Sequence, residues 1–383
     1  MKNLLIFLDE VYYKEGEQFI SKFNAGRFLQ KLRSNFSLKF MFPISNEPPV
    51  NATTVIEESE TIPLTNWNSL ISYAKSYLIV NKIIKKKMQL ILPKIDVIWI
   101  RMPSLPGLYI AKIAFKAKIP CVFHFAGDIR YGYQNEQYKG LQKIVALLTG
   151  YAIHYLMKRT VSKYKKLVYC LCTGSKMLKE FSCQRAQFFI DSELNCTHQP
   201  VGCTNKITKL LFVGRLLKSK GILNLLNALT KTNDIQINVI GYGPLEKKVQ
   251  EFCLNYKQFH YAGYKTGKEL EEIYSDSDIL IMPSISSEGF PRVIVEAWSK
   301  GLAVISTDVG GIKGVGQHEK NILFVKPNEI SELRAAIVRL VNDRSLLQEL
   351  KKNGFDTSQK LTHSSMLSVA IESIKNMVNN EQL

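Results

Sequence analysis

Eight short apolar runs, each bounded by polar or turn-forming residues, punctuate this chain and are separated by longer segments of helical spacing. They fall at residues 4–8, 97–100, 121–125 and 167–172 in the first half, and at 210–213, 235–240, 279–282 and 303–306 in the second. Runs this short and this continuously apolar fit strands buried on both faces, as in parallel sheets covered by helices. Strand alternating with helix points to a doubly wound α/β fold. A length of 383 residues is enough for two such domains, each with its own core. The polar stretch 191–205 contains Pro200 and breaks the pattern, so the join is expected there. The reading is a first domain over 1–195, a second over 206–360, and a helical tail over 361–383. Hydrophobic and charged fractions of 46% and 22% are those of a globular chain rather than a disordered one.

Parallel sheets bind ligands beyond the carboxyl ends of their strands, so the segments after the runs carry the functional question. Residues 283–298, PSISSEGFPRVIVEAW, follow the run DILIM and set Glu288 and Glu296 eight positions apart, with Gly289 and Pro291 between them. Pro291 suits the first turn of a helix, where its missing N–H costs nothing. The unpaired N–H groups and the positive end of the helix dipole attract a phosphate at such a junction, and Gly289 lets a ligand approach the backbone. Glu288 then faces a sugar from the loop, while Glu296, about a turn and a half into the helix, reaches another hydroxyl. Glutamates on a helix are ordinarily solvated surface. A second cluster changes that weighting: residues 209–222, KLLFVGRLLKSKGI, repeat the strand, turn and helix, with Arg215 and Lys220 at the turn. A planar guanidinium fork and a compact ammonium are the usual partners of a diphosphate. Together the two clusters describe a nucleotide-sugar site.

The segments FVGRLLKSKGI, GYGP (241–244), SEGFPRVIVEA and GLAVISTDVGGI (301–312) stand in the order found in retaining glycosyltransferases of family 4. The chain resembles that family over roughly 207–330. The resemblance implies the GT-B fold: two Rossmann-like, doubly wound domains facing a central cleft, the donor held mainly by the C-terminal one and the last helix crossing back to the first. It implies that Arg215 and Lys220 grip the donor diphosphate, that Glu288 binds the donor sugar and Glu296 the ribose, and that the backbone of Gly289, Phe290, Pro291 and Arg292 helps hold sugar and phosphate. It also implies hexosyl-type transfer without a cofactor, by attack on the face from which the nucleoside diphosphate departs. The catalytic set is then Glu288, His124, Lys220 and Arg215.

His124 ends the run in CVFHFAGDIR, where similar enzymes carry a histidine near the donor sugar. A histidine at a strand end is otherwise more often structural. Asp128 and Arg130 are the acceptor-side candidates, together with Gly16 in DEVYYKEGEQF, where the family often has a Gly-Gly loop.

No metal site is expected. Asp276-Ser277-Asp278 spells the D-x-D pattern that holds a divalent cation in the other main glycosyltransferase fold, but between a helix and a strand Asp and Ser commonly make a turn. Cys183, Cys196, His198 and Cys203 match no usual zinc spacing. Seven cysteines without a C-x-x-C pair suit reduced thiols in a cytosol. Gly241-Tyr242-Gly243 reads as a tight turn, since Glu246 stands where a dinucleotide motif needs its third glycine. MKNLLIFLDE reaches the acidic pair Asp9 and Glu10 too soon for a secretory signal. The longest apolar stretch, 141–157, contains Lys143 and His154 and falls short of the roughly twenty residues that span a bilayer.

The net charge of +18 is uneven. The first 200 residues hold 28 Lys and Arg against 14 Asp and Glu, leaving +14 there and +4 in the remainder. The excess gathers at 82–94 (KIIKKKMQLILPK) and 158–166 (KRTVSKYKK), beside apolar segments. Such clusters suit an anionic membrane surface as well as an ordinary solvated face, and no nucleic-acid motif accompanies them. The expected partners are a nucleotide-sugar donor, a lipid-linked glycan acceptor and an anionic inner-membrane surface, without nucleic acid. The expected place is the cytoplasmic side of a plasma membrane, and the expected product a bacterial polysaccharide such as capsule or lipopolysaccharide. A GT-B epimerase or phosphorylase, and a non-catalytic basic binding protein, are the competing readings.

Overall fold

The structure is a computed structural model and describes residues 1–49, 51–134, 138–181, 185–195, 208–230, 235–286 and 289–379. It divides into two compact units: Met1–Tyr133 with Leu141–Glu193 and Ser364–Leu383, and Leu194–His363 with Gln134–Gly140. Most of the segment read as a join lies outside the described residues.

The first unit holds β1 (Lys2–Phe7), β2 (Tyr12–Glu15), β3 (Gln18–Ser21), β4 (Phe36–Ser45), β5 (Thr54–Glu57), β6 (Thr61–Leu64), β7 (Val97–Met102), β8 (Cys121–Phe125), β9 (Val168–Cys172) and β10 (Ala186–Phe188). They pair in the order β10-β9-β8-β7-β1-β4-β2-β3-β5, with β6 also on β4. Every pairing from β10 to β4 is parallel, whereas β3 runs antiparallel to β2 and β5. The helices are α1 (Ala25–Gln30), α2 (Leu70–Lys75), α3 (Tyr77–Ile91), α4 (Leu105–Lys116), α5 (Leu141–Lys163) and α6 (Ser175–Glu180). Ser69 and Ser104 start α2 and α4 by accepting the N–H groups of Ser72 and Gly107, which satisfies donors that a helix start leaves unpaired. The strands VIWIRM, CVFHF and VYCLC are buried almost throughout, and α3, α4 and α5 close over them in one core. Val80, Ile84 and Met88 of α3, Ile110 and Ala114 of α4, and Met157 of α5 are among the inward residues.

Two features of this unit differ from the sequence reading. β4 pairs directly with β1 and is not among the apolar runs read from the sequence. Its alternation of buried Phe36, Leu38 and Phe40 with exposed Ser37 and Lys39 carries it nonetheless. The DEVYYKEGEQF segment forms the β2–β3 hairpin, in which Glu15 pairs with Gln18 and Gly16 takes φ +60° at the tip.

The second unit holds β11 (Thr208–Val213), β12 (Ile235–Ile240), β13 (Phe259–Gly263), β14 (Ile279–Met282), β15 (Ala303–Thr307) and β16 (Leu323–Val325) in one parallel sheet. Its order is β13-β12-β11-β14-β15-β16. The chain therefore winds outward in one direction from β11 and then in the other from β14, which makes the crevice beyond the ends of those two strands the switch point where such sheets bind ligands. The helices are α7 (Ile222–Leu229), α8 (Glu246–Asn255), α9 (Gly267–Ser275), α10 (Arg292–Ser299), α11 (Ile330–Asn342) and α12 (Arg344–Gln359). A last helix, α13 (His363–Val378), belongs from Ser364 onward to the first unit. Trp298 anchors α10: it is fully buried, its indole N–H donates to Asn321 O at 2.9 Å, and a Cβ on Gly354 of α12 would lie 2.4 Å from the ring. Only glycine lets α12 approach so closely.

Candidate functional site

The loops after β11, β14 and β15 are fastened to one another by backbone. Gly221 caps α7 at φ +69°, and a Cβ there would fall 1.9 Å from Pro283 O. Beside that contact Ile285 N–H donates to Ser219 O at 2.8 Å. Gly311 N–H donates to Gly289 O at 2.7 Å, and the Thr307 hydroxyl donates to Ser284 O at 2.6 Å. The Gly241-Tyr242-Gly243 turn abuts the same region, since a Cβ on Gly241 would meet Gly214 O at 1.9 Å. Its glycines serve loop packing, in keeping with the tight-turn reading.

These loops surround a hollow of about 310 Å³ lined by Arg215, Lys220, Phe290, Pro291 and Arg292, with Ser284 at its side. Arg215 is exposed, and Lys220 and Arg292 are half-buried. Pro291 stands at the N-cap of α10 rather than inside its first turn, and Ile294 N–H returns to Pro291 O at 3.1 Å. The first turn of α10 carries no acid to oppose the positive potential of its start. Three cationic residues and a helix N-terminus around one cavity make a site for a multiply charged anion.

Glu296 sits half-buried on the second turn of α10, and its Oε2 accepts a hydrogen bond from the Tyr274 hydroxyl at 2.9 Å. Tyr274 is buried on α9, and burial first, then the Glu296 charge, pushes its hydroxyl well above the ordinary tyrosine range. This positioning contact spans 22 residues and has no signal in the sequence. Glu288 lies outside the described residues.

The Asp276 and Asp278 carboxylates of the D-x-D pattern are held by lysines. Both Asp276 oxygens accept Lys209 Nζ, at 2.6 and 2.8 Å, while Asp278 takes Lys351 Nζ and the Lys209 N–H, each at 2.9 Å. These carboxylates fasten β11 and α12 to the start of β14. Cys183, Cys196, His198 and Cys203 lie outside the described residues, and among the described residues no three His, Cys, Asp or Glu gather as a metal site.

In the first unit His124 is the penultimate residue of β8 and fully buried, ringed edge-on by Trp99 and Phe189 at 5.6 and 4.8 Å between centroids. Among the described residues neither ring nitrogen has a hydrogen-bond partner. Burial lowers its pKa to about 3, so the imidazole is neutral at ordinary pH. Asp128 and Arg130 are brought together, but toward each other: Arg130 Nε and Nη2 donate to the carboxylate at 2.9 and 2.6 Å, and Nη2 also donates to Glu180 at 3.0 Å. Burial pushes the Asp128 carboxyl up, yet Arg130 more than offsets this and holds it below the usual value.

Residues 198–357 match the model of the family Glycosyl transferases group 1. This part of the chain is a group 1 glycosyl transferase domain. The putative teichuronic acid biosynthesis glycosyltransferase TuaC of Bacillus subtilis (strain 168) is 30% identical over 151 residues, covering 39% of this chain and 37% of TuaC. Curated relatives such as this are matched over about two-fifths of their length or less. Among solved structures, HepE of Anabaena in complex with UDP superposes with a TM-score of 0.65 at 14% identity, covering 98% of this chain and all of that one. The lipopolysaccharide outer core galactosyltransferase WaaB, in its apo form, gives 0.66 at 14% identity over 99% of both chains. The architecture is therefore the two-domain GT-B fold, as the order of the motifs implied.

Within the glycosyl transferase domain the hollow lies at the switch point between β11 and β14. Outside it, the first unit has a hollow of its own, which the sequence reading missed. About 250 Å³ in volume, it is bordered by Asp9, Glu10, Trp67, Tyr73 and Ser104, just past the carboxyl ends of β1 and β7. Asp9 accepts hydrogen bonds from Trp67 Nε1 and Ser104 Oγ, both at 2.7 Å, and burial raises the pKa of Asp9 and Glu10 alike. Glu10 also pairs with Arg101 of β7. An acidic pair directly after the first strand was the available signal.

Proposed function

We propose that the chain is a retaining hexosyltransferase that moves a sugar from a nucleoside-diphosphate sugar to a lipid-linked oligosaccharide or polysaccharide, without a metal. The observation that carries this reading is the shared hollow of Arg215, Lys220 and the start of α10. A departing nucleoside diphosphate gains charge as the glycosidic bond breaks, and fixed cations with oriented N–H groups stabilise that charge without reorganising, usually the largest part of such catalysis. With the diphosphate so held, the hydroxyl of the acceptor attacks from the departing side and gives its proton to the leaving phosphate. Glu288 is assigned to the donor sugar, and Glu296, steadied by Tyr274, to the ribose. His124, buried with both ring nitrogens shut off from solvent, is left out of the chemistry.

The UDP complex of HepE supports a nucleoside-diphosphate donor, and the names of TuaC and WaaB support a surface-polymer acceptor. The aromatic and acidic hollow at Asp9 and Trp67 supports an acceptor sugar in the first unit, because carboxylates and indole faces suit hydroxyl-rich rings. Asp276 and Asp278, already held by lysines, are left out of the chemistry. The basic first unit supports a peripheral position on an anionic membrane. Among the described residues no helix is long and apolar enough to cross one.

The test is a thermal-shift panel of nucleotide sugars, since a ligand that binds only the folded state raises its apparent stability. One donor is expected to stabilise the wild type and to lose that effect in Lys220→Ala. Transfer is expected to survive EDTA, with the product keeping the anomeric configuration of the donor. Inversion, or conversion of the donor into another nucleotide sugar with no acceptor consumed, would sink the proposal, the latter in favour of an epimerase.

A further inference from the structure

Helices α3, α4 and α5 lie side by side on one face of the first unit's sheet, α3 against α4 and α4 against α5, so their opposite faces point away from it. On α5 both faces are apolar. Its buried residues Gly150, Ile153, His154, Met157 and Val161 fall along one side at helical spacing. Leu141, Ile144, Val145, Leu148, Tyr151 and Tyr155 fall along the other and are exposed, Leu148 at 65%. Leu78, 80% exposed, and Ile79 at the start of α3 add to this outer apolar surface, as does Ile71 of α2. Apolar surface gathered in this way marks contact with a protein or with lipid.

The charge on the three helices decides between occupants. They contain no Asp or Glu, but four Lys in α3, two in α4, and three Lys and one Arg in α5. A second copy packed face to face would bring these like charges against themselves. Nucleic acid would answer the charge and leave the α5 stripe in water. A bilayer with anionic headgroups answers both: ammonium and guanidinium groups meet the phosphates, and the apolar stripe enters the headgroup–acyl boundary. The acceptor hollow is walled by Leu70 and Tyr73 of α2 and by Ile153 of α5, so helices on this side also border it.

We infer that the outward face of α3, α4 and α5, with the exposed start of α3, is the surface by which the chain lies on an anionic bilayer. The inference rests on the reading of the chain as a peripheral glycosyltransferase with a lipid-linked acceptor. It locates the contact and gives the α5 stripe its occupant.

The full chain is sedimented with vesicles of phosphatidylcholine alone and with phosphatidylglycerol added. Binding is expected only to the second, and to weaken as salt is raised. Lys82→Glu/Lys85→Glu/Lys86→Glu is expected to weaken it about a hundredfold or more. Ile144→Ser/Leu148→Ser/Tyr151→Ser is expected to weaken it about tenfold or more. The control Lys247→Glu/Lys248→Glu on α8 is expected to bind like wild type. Each protein is also melted with and without nucleotide sugar in the absence of lipid, so that failure of the donor reading and failure of the membrane surface register separately. Should the triple serine variant not fold, Leu148→Ser alone carries the same test. Wild type that ignores anionic vesicles, or a control that falls as far as the α3 variant, would overturn the inference. So would a dimer dissolved by the α5 substitutions, or tighter binding to RNA or DNA that survives them.

Discussion

The two units use positive charge in opposite ways. In the second, Arg215 and Lys220 share one hollow, and the loops around it are tied by backbone hydrogen bonds and by glycines whose neighbours admit no side chain. In the first, the excess is larger and spread over the outer faces of three helices without acids. A small ligand needs a few charges at fixed positions, whereas an extended surface needs many at no particular position. The first arrangement is built by the chain's path and the second by its composition.

Substitutions can separate these two designs. The largest effect is expected at the scaffold of the donor site: Trp298→Ala should cost about 3–5 kcal/mol of stability, because it empties the joint between α10 and α12. Denaturant unfolding reads it, and a loss under about 1 kcal/mol would mean that α10 is held by something else. Lys220→Ala should lower the transfer rate by about 10²–10³-fold with the melting temperature unchanged, as for removal of one preorganised partner of a developing charge. An equally active variant would end the assignment of that cation. Reversing three exposed lysines on α3 should, by contrast, leave turnover on a soluble acceptor untouched and change only lipid attachment.

His124→Phe sharpens the comparison from the first unit. The folded-state pKa of His124 is depressed from 6.5 to about 3, so its stabilising contribution is complete above the unfolded value and is lost as pH falls through that interval. The phenylalanine variant lacks this loss, so it should gain on the wild type by about 5 °C in melting temperature as pH is lowered across the window. A constant difference would show that the ring is solvated or paired. Tyr274→Phe is the mildest change: with one hydrogen bond to Glu296 removed, about 1 kcal/mol, the KM for donor should rise by up to about tenfold with little change in kcat.

Half of the described strands were legible, β1, β7, β8, β9, β11, β12, β14 and β15, because burial on two faces leaves a continuous apolar signature, as in DILIM before the donor loop. β4 alternates buried with exposed residues, and the β2–β3 hairpin strands are four residues each, so neither gives a continuous apolar run. Of the residues lining the donor hollow, Arg215, Lys220 and Pro291 could be read from strand, turn and helix start, which place them locally, while Phe290 and Arg292 were named by the family resemblance. The Tyr274 contact with Glu296 and the seat of Gly221 against Pro283 could not, since each joins segments that only the folded sheet brings near. The second apolar face of α5 was also hidden: a helix that is apolar all round shows length and no period, and coordinates were needed to tell its inward side from its outward one.

The ties among the three donor loops have an evolutionary consequence. Ser219 with Ile285, and Gly289 with Gly311, meet through main-chain atoms that every amino acid but proline possesses. The frame that presents the diphosphate cradle is thus indifferent to most of the side chains it displays. A lineage built on it can exchange the groups facing the sugar one at a time, and so change which carbohydrate it handles, without first rebuilding the support beneath.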